Sequence, residues 1–161
     1  DAYVEAVIAK GKPIVFSIGA PSDEAHPHVW PTELVVMHCV VSYPADLADT
    51  HLRSHPPGLW GLSDHTTHPT IAPCAATALG ASVIEKHMRG YDLVGTRWLL
   101  EPMQDMTTPD AQHSLDPAQF REMVQAIRLT EQVLGSSEKR VRESERPYLK
   151  YWRGPRGLRG A

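Results

Sequence analysis

The 161-residue sequence has no run of about 18 apolar residues, so it lacks the kind of segment that crosses a membrane as a helix. Its first residues, DAYVEAVIAKGKP, also lack the basic and then apolar pattern of a signal peptide. The sequence begins without methionine and within a predicted helix, and we therefore expect it to be a piece of a longer chain. The apolar and charged fractions, 42% and 22%, are those of a soluble globular protein without a membrane partner.

Cysteine and the common catalytic motifs are scarce as well. Cys39 and Cys74 lie in apolar surroundings far apart, and we expect two buried free thiols in a reducing cytoplasm rather than a disulfide. The sequence contains no HExxH, CxxC or GxSxG motif. Ser63, Asp64 and His65 are consecutive, without the separated positions of a hydrolase triad. Metalloprotease, thiol-redox and serine-hydrolase signatures are therefore absent.

Positive charge is rare in most of the chain and concentrated at one end. Residues 1–137 contain 8 Lys and Arg against 16 Asp and Glu, whereas residues 138–161 contain 8 against 3. The basic stretch EKRVRESERPYLKYWRGPRGLRG suggests a nucleic-acid tail, but its acidic interruptions and its Gly/Pro pattern favour a solvated linker. We therefore divide the chain into one domain at 1–137 and a basic linker or tail at 138–161.

What the sequence does contain is an alternation of short β-rich runs with helical ones, which is typical of β/α units around a parallel sheet. A compact, buried strand is predicted at 13–19, and further strands are predicted at 33–44, 59–65 and 81–88. Helices are predicted at 70–80 and 116–135. Asp116 and Pro117 mark the start of the last helix. Residues 89–115, rich in Gly, Pro and Thr, predict a long irregular stretch of the kind that is usually functional or mobile.

Polar side chains interrupt the predicted strands at their carboxyl ends, where β/α folds bind ligands. They are Ser17, Tyr43, Ser63 with His65, and Glu85 with His87. Strand alternation places His65 on the face of Ser63 and His87 on the face of Glu85, so the two imidazoles can meet inside a barrel. Two imidazoles near carboxylates suit a divalent ion with open positions. The alternative is that each histidine only hydrogen-bonds neighbouring backbone.

The remaining histidines of the first 70 residues offer weaker candidates. We expect His38, in the middle of a predicted strand, to be packed and hydrogen-bonded. The others fall in predicted loops and receive no role: His26, His28, His51, His55 and His68.

Four motifs resemble the sialic acid synthase family in the same order, over roughly residues 7–147: HCVVSYPA, GLSDHT, ALGASVIEKHM and HSLDPAQFREMVQAIRLTEQVLG. The resemblance implies an α/β fold, namely the second half, about four β/α units, of a (β/α)8 TIM barrel. It also implies a cytoplasmic transferase of the N-acetylneuraminate synthase type. Such an enzyme condenses phosphoenolpyruvate with an N-acetylated hexose to a nonulosonic acid and releases phosphate.

The resemblance further implies a metal site. His65 and His87 match the two histidines that bind a divalent metal, Mn²⁺ in the first place with Mg²⁺ or Co²⁺ as alternatives, which polarises the sugar aldehyde. Glu85 matches a carboxylate beside that metal, where it orients a ligand or water. Glu85, His65 and His87 are therefore the expected catalytic residues.

The same resemblance implies four substrate contacts. Ser17 and Ser63 match serines that help to hold the phosphate or carboxylate of phosphoenolpyruvate. Tyr43 matches a tyrosine that lies against the substrates, and Asp110 matches an aspartate that contacts the sugar.

Several positions depart from the family pattern. Ile18 and Val41 stand where the family has polar residues, and Ala111 replaces the histidine after the aspartate, although His113 lies close. The family's earlier strands carry lysines that neutralise phosphoenolpyruvate, and Lys86 alternates to the outer face. These departures leave open the alternative of a truncated or degenerate, non-catalytic remnant that acts as a binding or assembly module.

A half-barrel of four strands would leave two sheet edges and part of an apolar interior exposed. We therefore expect a partner for this chain, either a second copy, as in a dimer, or a complementary half-barrel.

Overall fold

The computed structural model describes residues 2–19, 34–89, 92–94, 97–99 and 109–151. Within them, four parallel strands form one sheet in the order β1-β2-β3-β4, namely β1 (Ile14–Ile18), β2 (Leu34–Cys39), β3 (Trp60–Asp64) and β4 (Val83–Lys86). Three α-helices accompany the sheet: α1 (Ala2–Ile8), α2 (Ile71–Ala78) and α3 (Pro117–Leu134). The parallel sheet with its helices confirms the α/β prediction.

The strand register aligns the predicted site residues on one face of the sheet. Cys39 of β2 pairs with Ser63 of β3, and Ser63 pairs with Glu85 of β4. Because residues paired across parallel strands point to the same face, these three side chains form one row. A lower row runs from Ser17 of β1 through Met37 to Gly61 and Val83. We call this the inner face.

Gly61 allows Met37 to fill the inner face. Met37 is fully buried, and a Cβ at position 61 would meet the Met37 sulfur and lie 2.6 Å from the carbonyl oxygen of Val83. Because Gly61 has no side chain, the Met37 side chain of β2 and the Val83 carbonyl group of β4 can lie close to β3.

The opposite, outer face of the sheet holds an apolar core. Trp60 and Leu62 of β3, each 2% exposed, pack with Ala72 and Ala76 of α2. The small side chains of α2 bring the helix close to the strand, and burial of the two large residues provides the free energy of this contact. His38 also belongs to this face, and its Nε2 lies 2.7 Å from the carbonyl oxygen of Thr50, as expected for a packed and hydrogen-bonded histidine.

Helix α3 begins with a complete capping box. The Asp116 side chain accepts a hydrogen bond from the Gln119 amide at 2.8 Å, and the Gln119 side chain accepts one from the Asp116 amide at 3.0 Å. Two amides that the first turn leaves without helical partners are thereby satisfied. The predicted helix at 116–135 is confirmed within one residue at each end.

Three strand predictions differ from the structure. The strand predicted at 33–44 ends at Cys39, because the chain then turns across the end of β3, where the Ala45 amide donates to the carbonyl oxygen of His65 at 2.9 Å. The strand predicted at 81–88 ends at Lys86. The first strand is not buried, since Val15 is 53% exposed and β1 pairs only with β2 within the described residues.

The stretch predicted to be irregular, 89–115, contains regular structure. An antiparallel pair is formed by β5 (Asp92–Val94) and β6 (Arg97–Leu99), and a 3₁₀ turn covers Pro109–Gln112. Near its end, Leu115 forms a parallel bridge with Met88, just beyond β4. Residues 20–33, which include the predicted loop histidines His26 and His28, lie outside the described residues.

The basic part of the chain is exposed wherever it is described. A 3₁₀ helix runs from Glu143 to Tyr151 without a buried residue. Both cysteines are free, with Cys39 buried and Cys74 partly buried. Among the described residues, no helix is both long and apolar enough to cross a bilayer.

Candidate functional site

The carboxyl ends of β3 and β4 bring four of the predicted residues together. The Ser63 hydroxyl donates to Glu85 Oε1 at 2.7 Å, so the serine fixes one carboxylate oxygen. Beyond them, the imidazole rings of His65 and His87 have their centroids 5.4 Å apart. Alternation along two neighbouring strands therefore does place both imidazoles over the inner face.

His65 is oriented by the backbone of the segment after β2. Its Nδ1 lies 2.9 Å from the carbonyl oxygen of Val40, and 3.8 Å from the Cys39 sulfur. Because a carbonyl oxygen only accepts, the hydrogen belongs on Nδ1 and the lone pair on Nε2. An imidazole held in this way presents Nε2 as a metal ligand or a proton acceptor.

A third imidazole, not assigned to the site from the sequence, lies beside these two. His113 is 0% exposed, and its ring centroid is 4.5 Å from that of His87 and 5.8 Å from that of His65. Neither of its ring nitrogens has a hydrogen-bond partner among the described residues. Burial lowers the pKa of His113 below its ordinary value, and the neighbouring His87 lowers the pKa further. The neutral ring keeps a lone pair available.

Asp110 lies between two of the histidines. One carboxylate oxygen is 3.7 Å from Nδ1 of His87 and the other is 3.6 Å from Nε2 of His113. Both separations exceed a direct hydrogen bond. Donor atoms of these three residues nevertheless all lie within 4.8 Å of one another, a spacing that allows them to surround a metal ion.

The turn that carries Asp110 is held from both sides. The Ser114 hydroxyl donates to the carbonyl oxygen of Asp110 at 2.6 Å, and the Arg89 guanidinium donates to that of Ala111 at 3.1 Å. Leu115 then returns to the end of β4, where its amide donates to the carbonyl oxygen of His87 at 2.9 Å. These bonds set the position of His113 relative to His87.

Tyr43 covers the histidines from the solvent side. Its ring centroid is 4.2 Å from that of His65 and 5.4 Å from that of His113, while the residue itself remains 52% exposed. An aromatic side chain in this position shields one side of the imidazole cluster from water and offers a surface to a ligand.

Ser17 is separate from this group. It belongs to the lower row of the inner face, two strands away from Ser63, and it is exposed. The structure therefore brings together six of the seven predicted site residues, listed here in chain order: Tyr43, Ser63, His65, Glu85, His87 and Asp110.

Lys86 is unavailable to a ligand on the inner face. It points to the outer face, where its Nζ lies 2.9 Å from Asp64 Oδ2, and both side chains are 0% exposed. The ammonium group also donates to the carbonyl oxygen of Thr66. The expectation that Lys86 lies on the outer face is confirmed.

The ring spacings of the three imidazoles stay within the upper limit for a shared cation, although the donor atoms close enough to surround one ion are those of His87, Asp110 and His113. A metal–imidazole bond of about 2.1 Å places the ring centroid roughly 3.2 Å from the ion, so two bound rings have centroids at most roughly 6.4 Å apart. The three histidine pairs, at 5.4, 4.5 and 5.8 Å, all satisfy this limit. The unpartnered nitrogens of His113 are a second observation in favour of a cation.

Comparison with known proteins places the chain among relatives of one kind. The chain is 36% identical over 137 residues to the spore coat polysaccharide biosynthesis protein SpsE of Bacillus subtilis, covering 74% of this chain and 33% of that protein. It is 34% identical over 122 residues to the N,N'-diacetyllegionaminic acid synthase of Legionella pneumophila, covering 71% and 30%. It is 30% identical over 154 residues to human N-acetylneuraminate-9-phosphate synthase, covering 86% and 39%.

Solved structures show the same fold. The N-acetylneuraminic acid synthetase of Leptospira borgpetersenii superimposes with a TM-score of 0.69 at 22% identity, covering 93% of this chain and 52% of that one. A spore coat polysaccharide biosynthesis protein E from Chromobacterium violaceum gives a TM-score of 0.65 at 23% identity, covering 92% and 45%. These likenesses confirm the partial (β/α)8 barrel.

The chain spans about a third of the length of the curated relatives it matches. The model of the NeuB family matches residues 1–139, which include every residue of the site described above. This match confirms the resemblance seen in the sequence motifs, and the chain belongs to the NeuB family, the family of the sialic acid synthases.

Proposed function

We propose that the protein carrying this chain condenses phosphoenolpyruvate with an N-acetylated hexose to give a nonulosonic acid and phosphate. The observation that carries the proposal is the convergence of His65, His87 and the Ser63–Glu85 pair at the carboxyl ends of neighbouring strands. In β/α barrels this end of the strands is where catalytic residues lie.

The bonds of the proposed reaction balance as follows. C3 of phosphoenolpyruvate attacks the aldehyde carbon of the open-chain sugar, forming a carbon–carbon bond and placing a proton on the former aldehyde oxygen. Water adds at C2, and loss of phosphate from that carbon leaves the keto group of the product. The reaction therefore consumes one water and needs no oxidant or reductant.

Each polar residue has a task in this proposal. His65 and His87 hold a divalent cation, which when bound supplies Lewis-acid stabilisation of negative charge on the aldehyde oxygen. Glu85, fixed by Ser63, orients the water that adds at C2. A carboxylate that already accepts a hydrogen bond on one oxygen presents the other in a defined direction.

The remaining predicted residues bind substrate. Ser17 holds the phosphate or carboxylate of phosphoenolpyruvate, and Ser63 does so when its hydroxyl turns from Glu85 to the substrate. Tyr43 lies against the substrates and Asp110 contacts the sugar. Because Lys86 is bound to Asp64 on the outer face, we assign neutralisation of the substrate's negative charge to parts of the protein beyond this chain. We further propose a cytoplasmic enzyme that assembles with a second copy or a complementary half-barrel.

The test is phosphate release from phosphoenolpyruvate by the purified protein. We expect release to depend on an added N-acetylated hexose, with a product whose mass equals that of the hexose plus phosphoenolpyruvate and one water, minus phosphoric acid. Glu85→Gln is expected to lower the rate by about 10²–10⁴-fold, the usual contribution of a positioned acid or base. His51→Asn, which removes an exposed imidazole outside the site, is the matched control and should keep full activity.

A second candidate function is favoured by specific positions. Ile18 and Val41 replace polar residues of the family pattern, and Ser17 is exposed and distant from the histidines. These features fit a non-catalytic binding or assembly module that keeps the metal site. Metal binding without phosphate release for any N-acetylated hexose would support this module and overturn the enzyme.

A further inference from the structure

The proposed reaction assigns no role to the buried imidazole of His113. Its side chain is fully buried, yet both ring nitrogens lack a hydrogen-bond partner among the described residues. Leaving polar atoms buried and unpaired is energetically unfavourable, because they lose their hydrogen bonds to water. A ligand that binds an imidazole nitrogen would remove this cost.

The surroundings of His113 identify the chemistry of that ligand. The ring of His87 lies 4.5 Å away, and Asp110 Oδ1 lies 3.6 Å from His113 Nε2. The carboxylate is too far from either imidazole for a direct hydrogen bond but is close enough for all three to reach one central atom. A cation attracts two imidazole lone pairs and a carboxylate at once.

We propose that His113 and Asp110 are ligands of the divalent cation together with His87, so that the site extends beyond the pair His65 and His87. The inference deepens the proposed cation site and does not depend on the reaction. Two imidazoles and one carboxylate form a donor set that suits first-row transition metals such as Mn²⁺, Fe²⁺ and Co²⁺. Mg²⁺ fits this set less well, because it prefers oxygen ligands. The ring of His65 lies beside this set, with its centroid 5.4 Å from that of His87 and 5.8 Å from that of His113.

The fold explains how donors distant in sequence reach one ion. Leu115 bonds to the backbone on both sides of Met88, and Arg89 holds the carbonyl oxygen of Ala111 at 3.1 Å. The turn bearing Asp110 and His113 is therefore attached to the same strand end that carries His87. Asp110 keeps a solvent-accessible carboxylate, 56% exposed, which leaves room for a sugar contact beside the cation.

The test is a calorimetric titration of the purified, metal-free protein with Co²⁺, followed in parallel by the visible absorption of the bound ion. We expect one site, and loss of at least about tenfold in affinity in His113→Asn and in Asp110→Asn, since even outer-sphere partners of a metal are worth about 10–100-fold. His51→Asn is the matched control, because position 51 has a φ of 39°, which asparagine tolerates, and should bind as the parent does.

A folding control separates ligation from collapse. Asp110 is exposed, so Asp110→Asn keeps the fold even where His113→Asn fails to fold. Saturating Co²⁺ should raise the melting temperature of the parent and of His51→Asn, but raise that of Asp110→Asn much less. Absence of Co²⁺ binding in the parent, or parent-like affinity in both variants while His87→Ala loses binding, overturns the proposal.

The outcome for the cation and the outcome for the reaction are distinguishable. Weakened Co²⁺ binding in Asp110→Asn without any phosphate release by the parent supports the ligand assignment and contradicts the enzyme. Phosphate release by the parent, with unchanged Co²⁺ affinity in Asp110→Asn and His113→Asn, supports the enzyme and contradicts the ligand assignment.

Discussion

At the scale of single residues, burial distinguishes the two free cysteines. Burial raises the pKa of the Cys39 thiol, and the negative charge of Glu85 contributes to the same direction. A raised pKa means less thiolate at a given pH, and the thiolate is the reactive form. We predict that a disulfide reagent labels Cys74 well before Cys39 in the folded protein at neutral pH, with labelling of Cys39 increasing as the pH rises.

The measurement is the rate of thiol release, with Cys39→Ser and Cys74→Ser variants assigning each phase. In the presence of denaturant the two cysteines should react at similar rates. Faster labelling of Cys39 in the native protein would contradict the buried position of its side chain.

Most of the site could be predicted from residue patterns, and one imidazole could not. Alternation within each strand is a local property, so the inward orientation of His65 and His87 follows from counting residues along β3 and β4. His113 reaches the same place only because Leu115 pairs with Met88, which is distant in the sequence. The one signal in the sequence is the position of His113 two residues before Leu115, the apolar residue that precedes the Asp116 cap and forms this bridge.

At the scale of elements, the capping box of α3 provides a direct test of helix energetics. We predict that Asp116→Ala lowers the free energy of unfolding by about 0.5–2 kcal/mol, because the Gln119 amide loses its acceptor. Gln119→Ala should cost less, since it removes the reciprocal bond to the Asp116 amide and a long, 3.5 Å hydrogen bond from the Arg89 guanidinium. Urea denaturation followed by circular dichroism measures both, and equal stability of Asp116→Ala and the parent would argue against the cap.

The buried ion pair that joins β3 to β4 gives a second element-scale prediction. Lys86→Met leaves Asp64 as an unpaired buried carboxylate and is expected to cost about 3–5 kcal/mol. The double variant Asp64→Asn with Lys86→Met should be less destabilised than Lys86→Met alone, because asparagine still accepts the hydrogen bond from the Thr66 amide without burying a charge. Denaturant titration of the parent and the two variants tests this, and a double variant less stable than Lys86→Met contradicts it.

Elements were predicted better than their ends. Helix α3 was found because Asp116, Pro117 and Gly135 mark its limits in the sequence itself. The strand ending at Cys39 was predicted too long because the apolar run continues through Val40 and Val41, and only the tertiary hydrogen bond between Ala45 and His65 shows where the chain leaves the sheet.

At the scale of the whole molecule, the edge of the sheet determines how the chain behaves by itself. Val15 of β1 is 53% exposed, and within the described residues β1 has a neighbour only on the side of β2. Unpaired strand edges recruit other strands. We predict that a polypeptide of these 161 residues, expressed alone, elutes from size exclusion with a mass above its 17.9 kDa, and that Val15→Lys reduces the association.

Light scattering on the eluting peak gives the mass, and Val124→Lys on the exposed face of α3 serves as the control for an added charge. A sharp peak at 17.9 kDa for the parent would contradict the prediction.

The bridge between Met88 and Leu115 has a consequence for how such a protein can diversify. The chain departs from the scaffold at Arg89 and rejoins it at Leu115, whose amide and carbonyl oxygen bond to His87 and Arg89 respectively. Departure and return are thus adjacent, and residues between Arg89 and the turn that carries Asp110 can be gained, lost or exchanged without shifting the imidazoles of the site. Residues that select the substrate can therefore change in this interval while the residues that carry the chemistry keep their positions.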